Sequence, residues 1–202
     1  MTVSDTYPSF FELARRTREG HDFRRVVRRR RSSIAVVAPH GGGIEPGTSE
    51  VARALAGCDF SLYCFEGLRL SGNDELHVTS HRFDEPLCVH LARRARTVVA
   101  VHGCAGLQRA VYVGGLDAPF KARLVTALRA AGFSAAPATG PLAGSYTDNV
   151  CNQGASGRGV QLEITEGLRR AMFADLTWRG RRIKTRTFDR FVVVVRGEIR
   201  EK

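Results

Sequence analysis

The sequence predicts an α/β fold in which helices cover both faces of a mixed, mostly parallel sheet, giving three layers in the order α/β/α. Short runs with strand character, at residues 34–38, 97–101 and 159–165, alternate with segments that carry helical periodicity and capping signals. No internal repeat or low-complexity segment interrupts this alternation. Strands and helices that alternate in this way favour a largely parallel sheet covered on both faces.

The chain length indicates one domain. The chain has 202 residues, of which 43% are hydrophobic, and this is enough for a packed core. We expect a single domain over residues 1–202, with an N-terminal helix and basic connector in residues 1–32. The core should span about residues 33–175, followed by a C-terminal extension over about residues 176–202.

The first two elements are a short helix and a basic run. Ser9 and Glu12 form a capping box for a helix that should end by Gly20. Residues 24–31 follow and form the densest basic run of the chain. One interpretation of this run is an arm that contacts a polyanion. The other, which we favour, is a solvated connector or an exposed hairpin whose arginine stems cover apolar surface.

The middle of the chain alternates between strands and helices. A helix should follow the strand at residues 34–38 and end before Gly57, and residues 60–65 should form the next strand. Asp84 is the predicted N-cap of another helix. After the strand at residues 97–101 and a further β-branched run near residue 111, Asp117 should cap a helix that ends near residue 132.

The last third contains a long loop and an ambiguous tail. Residues 139–159 are rich in small and turn-forming residues and are long enough without periodicity to be a functional loop. A short helix should follow the next strand, over residues 166–173. Residues 191–195 have strand propensity, yet the apolar side chains of the tail fit one helical face, so we expect a helix. These side chains are Phe188, Phe191, Val192, Val195 and Ile199.

Two histidines stand at the ends of predicted strands. His40 follows the strand at residues 34–38, and three glycines after it allow the chain to fold back so that Glu45 returns toward the imidazole. His102 ends the strand at residues 97–101 in the same way. Two imidazoles and one carboxylate are a common ligand set for catalytic zinc. The sequence therefore predicts a Zn²⁺ site, although a single strand-end histidine is more often a satisfied core or loop residue than a ligand.

Glu163 stands in the middle of a strand whose alternate residues, Val160, Leu162 and Ile164, are apolar. A strand buried on both faces would be apolar throughout, so the presence of a carboxylate in this strand indicates a specific role or an exposed face. One interpretation is a general base beside a metal-bound water. The other is a residue of an edge strand, paired with one of the many arginines. The strand pattern alone leaves both open.

Several polar residues near these positions are candidates for substrate contacts. His77 and His81 are spare metal-ligand candidates that could instead contact a substrate carboxylate, and an ordinary loop role is favoured more for His77 than for His81. Arg158 could bind a carboxylate bidentately, while Asn149 and Asn152 orient an amide or carboxylate. The alternative is that the asparagines meet turn requirements and Arg158 is solvated.

Charge and composition limit the possible functions. The formal net charge of +11 would attract polyanions at long range, at a rate that falls with salt, but it does not distinguish an anionic peptide from a nucleic acid. The sequence has no signal peptide and no membrane-spanning apolar run, so we expect a cytoplasmic protein without a membrane partner. The oligomeric state is left open, with a monomer as the expectation.

The five cysteines are odd in number, scattered and mostly within apolar segments, so a disulfide framework is not expected. Cys104 and Cys151 lie near the predicted metal site and are nucleophile candidates. Neither has a clear partner, and small buried cysteines are common. Covalent catalysis by a thiol is therefore the less favoured mechanism.

Several segments, in order, resemble the phage poly-γ-glutamate hydrolase family, whose relatives are often labelled phage-related replication proteins. The segments lie between about Ser33 and about Arg170. They are His-Gly-Gly-Gly-Ile-Glu at 40–45, Leu-His-Val-Thr-Ser-His-Arg-Phe-Asp-Glu-Pro at 76–86, Val-His-Gly at 101–103, Tyr-Val-Gly-Gly at 112–115, Asn-Val-Cys-Asn-Gln-Gly at 149–154 and Gly-Val-Gln-Leu-Glu at 159–163. Because several linked motifs match, the resemblance is more specific than any one histidine.

The resemblance implies a zinc carboxypeptidase-like α/β/α fold and a zinc-dependent hydrolase that cleaves γ-glutamyl amide bonds in poly-γ-glutamate. It also implies that His40, Glu45 and His102 bind zinc and that Glu163 is the general base. Four residues separate the first histidine from the glutamate here, more than in the wider zinc carboxypeptidases. The ligand assignment therefore depends on the narrower family.

Two other functions stay open. One is a zinc amidohydrolase that acts on a different peptide or acyl amide. The other is a basic nucleic-acid-binding protein, although the chain has no helix-turn-helix pattern and no basic motif interleaved with aromatic residues.

Overall fold

The computed structural model describes residues 5–202, and within them seven strands form one sheet in the order β1-β3-β2-β4-β7-β5-β6. The strands are β1 (Phe23–Arg28), β2 (Ile34–Gly42), β3 (Ser61–Gly67), β4 (Thr97–Cys104), β5 (Ala110–Gly114), β6 (Ser134–Pro137) and β7 (Val160–Thr165). The helices are α1 (Phe10–Arg16), α2 (Thr48–Ala56), α3 (Pro86–Arg94), α4 (Ala118–Ala130), α5 (Glu166–Met172) and α6 (Arg186–Arg200).

The centre of the sheet is parallel. Strands β3, β2, β4 and β7 run in one direction, β1 is antiparallel to β3, and β5 is antiparallel to β7 and parallel to β6. One buried apolar cluster joins α2, α4, α5 and α6 to one face of the sheet, and a second joins α1 and α3 to the other. The predicted three-layer, mostly parallel α/β fold is confirmed. No helix in the described part of the chain is both long and apolar enough to cross a membrane.

The structure decides between the alternatives for the C-terminal segment and for the basic run. The C-terminal segment is the helix α6, which buries the predicted residues Phe188, Phe191 and Val195. Residues 24–28 of the basic run lie in an edge strand, β1, rather than in the favoured connector or hairpin. Side chains alternate across a strand, so Arg24 pairs with Glu66 while Arg25 pairs with carboxylates on the other face.

Two further predictions need correction. Glu85, not Asp84, caps α3: its buried carboxylate accepts a hydrogen bond from the Cys88 amide at 2.7 Å. The helix begins with Pro86, one residue later than predicted, and Asp84 instead accepts a hydrogen bond from the Phe10 amide at 2.7 Å. Strand β6 was not predicted, because its sequence Ser-Ala-Ala-Pro has no β-branched residue.

Candidate metal centre

His40 reaches the site through an irregularity in β2. Residues Ala38 and Gly41 of β2 face Cys64 and Glu66 of β3, so β2 contains one extra residue in this interval. Simple alternation would place His40 on the same face of the sheet as Ala38, in the apolar cluster that includes α2, α4, α5 and α6. A β-bulge reverses the alternation, and the His40 ring instead lies on the opposite face of the sheet.

The glycines after His40 form the turn that returns Glu45 to the imidazole. Gly42 has φ of 67°, a left-handed conformation that favours glycine. A Cβ atom on Gly41 would lie 2.9 Å from the carbonyl oxygen of Phe65, so no side chain fits there. The amide of Glu45 then donates to the His40 carbonyl at 2.9 Å and closes the turn.

Three side chains with potential ligand atoms converge at this point. His40 Nδ1 lies 3.2 Å from Glu45 Oε1 and 3.2 Å from His102 Nδ1, and Glu45 Oε2 lies 3.8 Å from His102 Nδ1. Zinc bonds to nitrogen and oxygen of about 2.0–2.2 Å place tetrahedral ligands about 3.3–3.5 Å apart. The structure therefore brings together the three side chains that the sequence analysis selected.

The outer hydrogen bonds of the histidines orient them for metal binding. His40 Nε2 lies 2.8 Å from the Val78 carbonyl oxygen, which can only accept, so this nitrogen carries a hydrogen and Nδ1 faces Glu45. His102 Nε2 lies 3.3 Å from Ser80 Oγ, which leaves its Nδ1 facing the same point. Such outer contacts commonly fix the tautomer of metal-binding histidines.

The electrostatics of the three groups also suit a cation. Burial lowers the pKa of His102 to about 3, against the opposing charge of Glu45. Burial acts to raise the pKa of Glu45, but the charge of His40 and hydrogen bonds from His40 and Gly103 outweigh it, and the pKa falls to about 2. Burial acts to lower the pKa of His40, and Glu45 raises it above the ordinary value. The donor set fits a metal ion that takes the place of a proton on His40.

His77 is also part of this site. Its ring centroid lies 4.0 Å from that of His40, and its Nδ1 lies 2.7 Å from Asp5 Oδ1. Ligand atoms of His40, Glu45 and His77 lie within 4.8 Å of one another. His102 Nδ1 lies 3.2 Å from His40 Nδ1 and 3.8 Å from Glu45 Oε2, so His102 and His77 are both candidates for the third ligand. The loop role that the sequence analysis favoured for His77 is corrected to a place beside the metal centre.

Glu163 lies on an interior strand. Strand β7 sits between β4 and β5, so the alternative of an edge-strand residue paired with arginine is wrong. Glu163 is the register partner of His102 and is 6% exposed. Burial, followed by the charge of Glu45, raises the pKa of Glu163 well above its ordinary value, whereas Arg169 acts in the opposite direction. Such a carboxyl is suited to exchange protons with a reacting group.

Sequence reasoning missed a residue that orients Glu163. Gln161 Nε2 donates to Glu163 Oε1 at 2.9 Å and to the Leu142 carbonyl oxygen at 2.9 Å. Asn149 Nδ2 donates to Gln161 Oε1 at 3.1 Å, which fixes the orientation of the amide. The available signal was a second polar residue on the same face of a buried strand as Glu163.

The three predicted substrate contacts have different outcomes. Asn152 is buried, and its side-chain amide contacts only backbone groups. It donates to the carbonyl oxygens of Gly144 and Tyr146 and accepts from the amides of Leu116 and Gly159. The predicted contact of Asn152 with substrate is therefore corrected to a structural role in the loop. Arg158 precedes β7 at the amino end of the sheet, about 16 Å of strand from Glu163, so it does not reach the metal centre. His81 stacks on Tyr146 with ring centroids 4.8 Å apart, and its contact with substrate stays a prediction.

The cysteines near the site are poorly suited to be nucleophiles. Burial raises the pKa of Cys104 to about 11 and raises that of Cys151 further. The thiolate is the reactive form. Both thiols are therefore protonated near neutral pH, whereas covalent catalysis by a thiol would require the thiolate.

The sequence profile of the poly-gamma-glutamate hydrolase family matches residues 7–194. The chain belongs to the poly-gamma-glutamate hydrolase family. The SPbeta prophage-derived protein YoqZ of Bacillus subtilis strain 168 is 43% identical over 150 residues, which are 73% of this chain and 54% of YoqZ. The chain thus spans about half the length of that relative.

Two solved structures are similar to this poly-gamma-glutamate hydrolase family member over nearly its whole length. A bacteriophage poly-gamma-glutamate hydrolase has a TM-score of 0.95 and 35% identity, with 98% of both chains covered. A zinc-free structure of YndL has a TM-score of 0.93 and 36% identity, also with 98% of both chains covered. The chain therefore has the fold of this family of enzymes.

Proposed function

We propose that this protein is a zinc-dependent hydrolase that cleaves γ-glutamyl amide bonds in poly-γ-glutamate or a similar anionic peptide. The observation that carries the proposal is the convergence of His40, Glu45 and His102 within 3.8 Å, beside the buried carboxyl of Glu163. Family membership supports the substrate class. The zinc-free form described for YndL supports the choice of metal.

The three ligand side chains would hold zinc, which when bound supplies a Lewis acid that polarises an amide carbonyl and lowers the pKa of water. Glu163 would accept a proton from the attacking water and deliver it to the leaving nitrogen. Gln161 holds Glu163 Oε1 by a hydrogen bond of 2.9 Å, so Oε2 is the oxygen left for this transfer. The net charge of +11 would draw the anionic polymer toward the protein.

Elemental analysis and product assays test this function. The native protein, purified without an affinity tag, should contain close to one zinc per chain and shorten poly-γ-glutamate, as seen by gel electrophoresis of the polymer. The double variant His40→Ala, His102→Ala, purified in the same way, should contain little zinc. A native protein without zinc would refute the mechanism, and zinc binding without cleavage would refute the substrate but retain the metal chemistry.

A cavity favours binding of nucleic acid as a second candidate function. The cavity of about 280 Å³ lies at the amino ends of β2, β3 and β4, opposite the metal centre. Its basic lining residues are Arg29, Arg30, Arg31, His90 and Arg94. Among residues 5–202, these four arginines form no ion pair with a carboxylate, unlike Arg24 and Arg25 of the same run. Unpaired arginines in a concave surface suit phosphate groups.

Fluorescence anisotropy with a labelled single-stranded DNA oligonucleotide separates the two functions. If the cavity binds DNA, the double variant Arg30→Gln, Arg31→Gln should weaken binding and reduce its salt dependence. The control variant Arg179→Gln, Arg182→Gln removes the same charge from exposed positions elsewhere and should have a smaller effect. Equal effects of the two variants would assign any binding to overall charge and refute a DNA site.

A further inference from the structure

Arg169 of α5 is a buried cation whose donors all go to backbone carbonyl groups. Its side chain donates from Nε to Ile164 at 3.1 Å, from Nη1 to Pro46 at 2.8 Å and from Nη2 to Cys104 at 3.2 Å. The residue is 6% exposed. Among residues 5–202 it forms no ion pair within 4.0 Å, whereas the buried Arg181 pairs with Glu50. Burying a charge without an ion-pair partner costs free energy, so we expect Arg169 to have a function that offsets this cost.

The three acceptors belong to the three segments that carry the metal centre and the candidate base. Pro46 directly follows Glu45, and Ile164 directly follows Glu163. Cys104 lies two residues after His102. One guanidinium therefore links the first loop, the end of β4 and the end of β7. These segments are otherwise far apart in sequence, since Arg169 and Pro46 are separated by 123 positions.

Gly103 completes this arrangement. A Cβ atom at Gly103 would lie 2.7 Å from Arg169 Cζ, so the guanidinium packs directly against the backbone between His102 and Cys104. The Gly103 amide donates to Glu45 Oε2 at 2.8 Å. The backbone that Arg169 holds through Cys104 is thus the same backbone that holds the Glu45 carboxylate.

We propose that Arg169 is a positioning residue of the metal centre, which fixes the three segments so that Glu45, His102 and Glu163 keep one relative arrangement. The inference rests on the proposed function, because it concerns the same site. Arg169 contacts neither metal nor substrate and acts through the backbone. Its contribution is to preorganise the ligands, so its loss weakens zinc binding as well as catalysis.

Variants of Arg169 and of a second arginine distinguish this role from general stabilisation. Arg196 donates to the carbonyl oxygens of Ala54 and Leu55 at 3.0 and 3.1 Å, at the far end of α2, and is the matched control. Arg169→Met, Arg169→Lys and Arg196→Met are compared with the native protein. The measurements are thermal unfolding of the metal-free proteins, zinc affinity by competition with a chromophoric chelator, and kcat and KM for poly-γ-glutamate at saturating zinc.

We expect Arg169→Met to weaken zinc binding by about 10- to 100-fold and to lower kcat with little change in KM. Arg196→Met should lower thermal stability and leave zinc affinity unchanged. Arg169→Lys keeps the charge but has one ammonium group in place of the planar fork, so its zinc affinity should also fall. This variant provides the test if Arg169→Met does not fold.

Three results would overturn the inference. The first is a zinc affinity of folded Arg169→Met within about twofold of the native value, well below the effect typical of such contacts. The second is full affinity in Arg169→Lys, which would assign the effect to charge rather than position. The third is a native protein that binds no zinc, which would also refute the proposed function. A native protein that binds zinc but does not cleave poly-γ-glutamate refutes only the substrate, and the affinity comparison still decides the role of Arg169.

Discussion

His40 Nδ1 and His102 Nδ1 lie 3.2 Å apart although the residues are separated by 62 positions in the sequence. Two unprotonated nitrogens would repel at this distance, so either one of them carries a proton or both face a metal ion. Burial acts to lower the pKa of His40, but the charge of Glu45 raises it above the ordinary value and so favours a proton on His40. The structure therefore holds the two imidazoles close together beside Glu45, which is the arrangement that the proposed metal site needs.

The ligand set can be tested by removing single histidines. We expect His102→Ala to lose zinc, because its Nδ1 is within 3.8 Å of both other ligands. His77→Ala should keep near-native zinc, because the proposed ligand set of His40, Glu45 and His102 does not include His77, whose ring lies beside that of His40. Zinc content after identical purification measures both. Loss of zinc in His77→Ala with retention in His102→Ala would replace the third ligand by His77.

The sequence predicted the fold class and the convergence of His40, Glu45 and His102 because both follow local rules. Strand ends at His40 and His102 were visible from β-branched runs and glycines, and parallel strands bring such ends to one edge of the sheet. The face on which His40 lies was not predictable. It depends on one extra residue between Ala38 and Gly41, and a bulge of this kind has no alternation signal of its own.

The errors concern residues whose role is set by distant partners. The loop from residue 139 to residue 159 was correctly expected to be irregular, but Asn152 fastens it internally instead of facing a substrate. Arg158 is close to Glu163 in sequence, yet the intervening strand carries it to the opposite end of the sheet. His77 enters the site because Asp5, 72 positions away, holds it there. Contacts at such separations leave no periodic pattern in the sequence.

Replacement of Glu163 by glutamine tests the base. Glutamine keeps the size of the side chain but cannot accept and return a proton, so Glu163→Gln should lower kcat for poly-γ-glutamate by a factor of about 10²–10⁴. Zinc content should equal that of the native protein, because Glu163 is not among the three converging ligands. The assay is release of new amino termini under saturating substrate. Native turnover by a zinc-loaded Glu163→Gln protein would remove the base assignment.

The ion pairs of Glu66 should stabilise the fold. Its carboxylate is 1% exposed and contacts Arg24 and Arg53, each at 2.6 Å. Both arginines are partly exposed, so we expect Glu66→Gln to lower the free energy of unfolding by about 2 kcal/mol, less than for a fully buried pair. The exposed pair of Glu166 and Arg170 is the control, and Glu166→Gln should cost about 0.5 kcal/mol or less. Urea unfolding at neutral pH measures both differences.

The contribution of Glu66 to the free energy of unfolding should depend on pH. Burial acts to raise the pKa of Glu66, but hydrogen bonds from Arg53 and Ser49 and the charge of Arg53 lower it below the model-peptide value of 4.5. A group with a lowered folded-state pKa stabilises the protein above its unfolded pKa, and this stabilisation is lost as the pH falls through the folded-state value. The difference between the native protein and Glu66→Gln should therefore shrink below about pH 4. A difference that stays constant from neutral to acid pH would contradict this account.

Salt should weaken substrate capture before it affects the chemical step. The net charge of +11 attracts an anionic polymer over distances that salt screens, with a Debye length of about 8 Å at 0.15 M. His40, His102 and Glu163 are buried, so their interactions are screened much less. We expect kcat/KM for poly-γ-glutamate to fall as sodium chloride is raised, while kcat and zinc content stay constant. Arg158→Gln removes one charge far from the metal centre, so it should leave kcat unchanged and reduce the salt dependence of kcat/KM only slightly. A kcat/KM that is independent of salt would show that long-range attraction does not contribute to capture of the polymer.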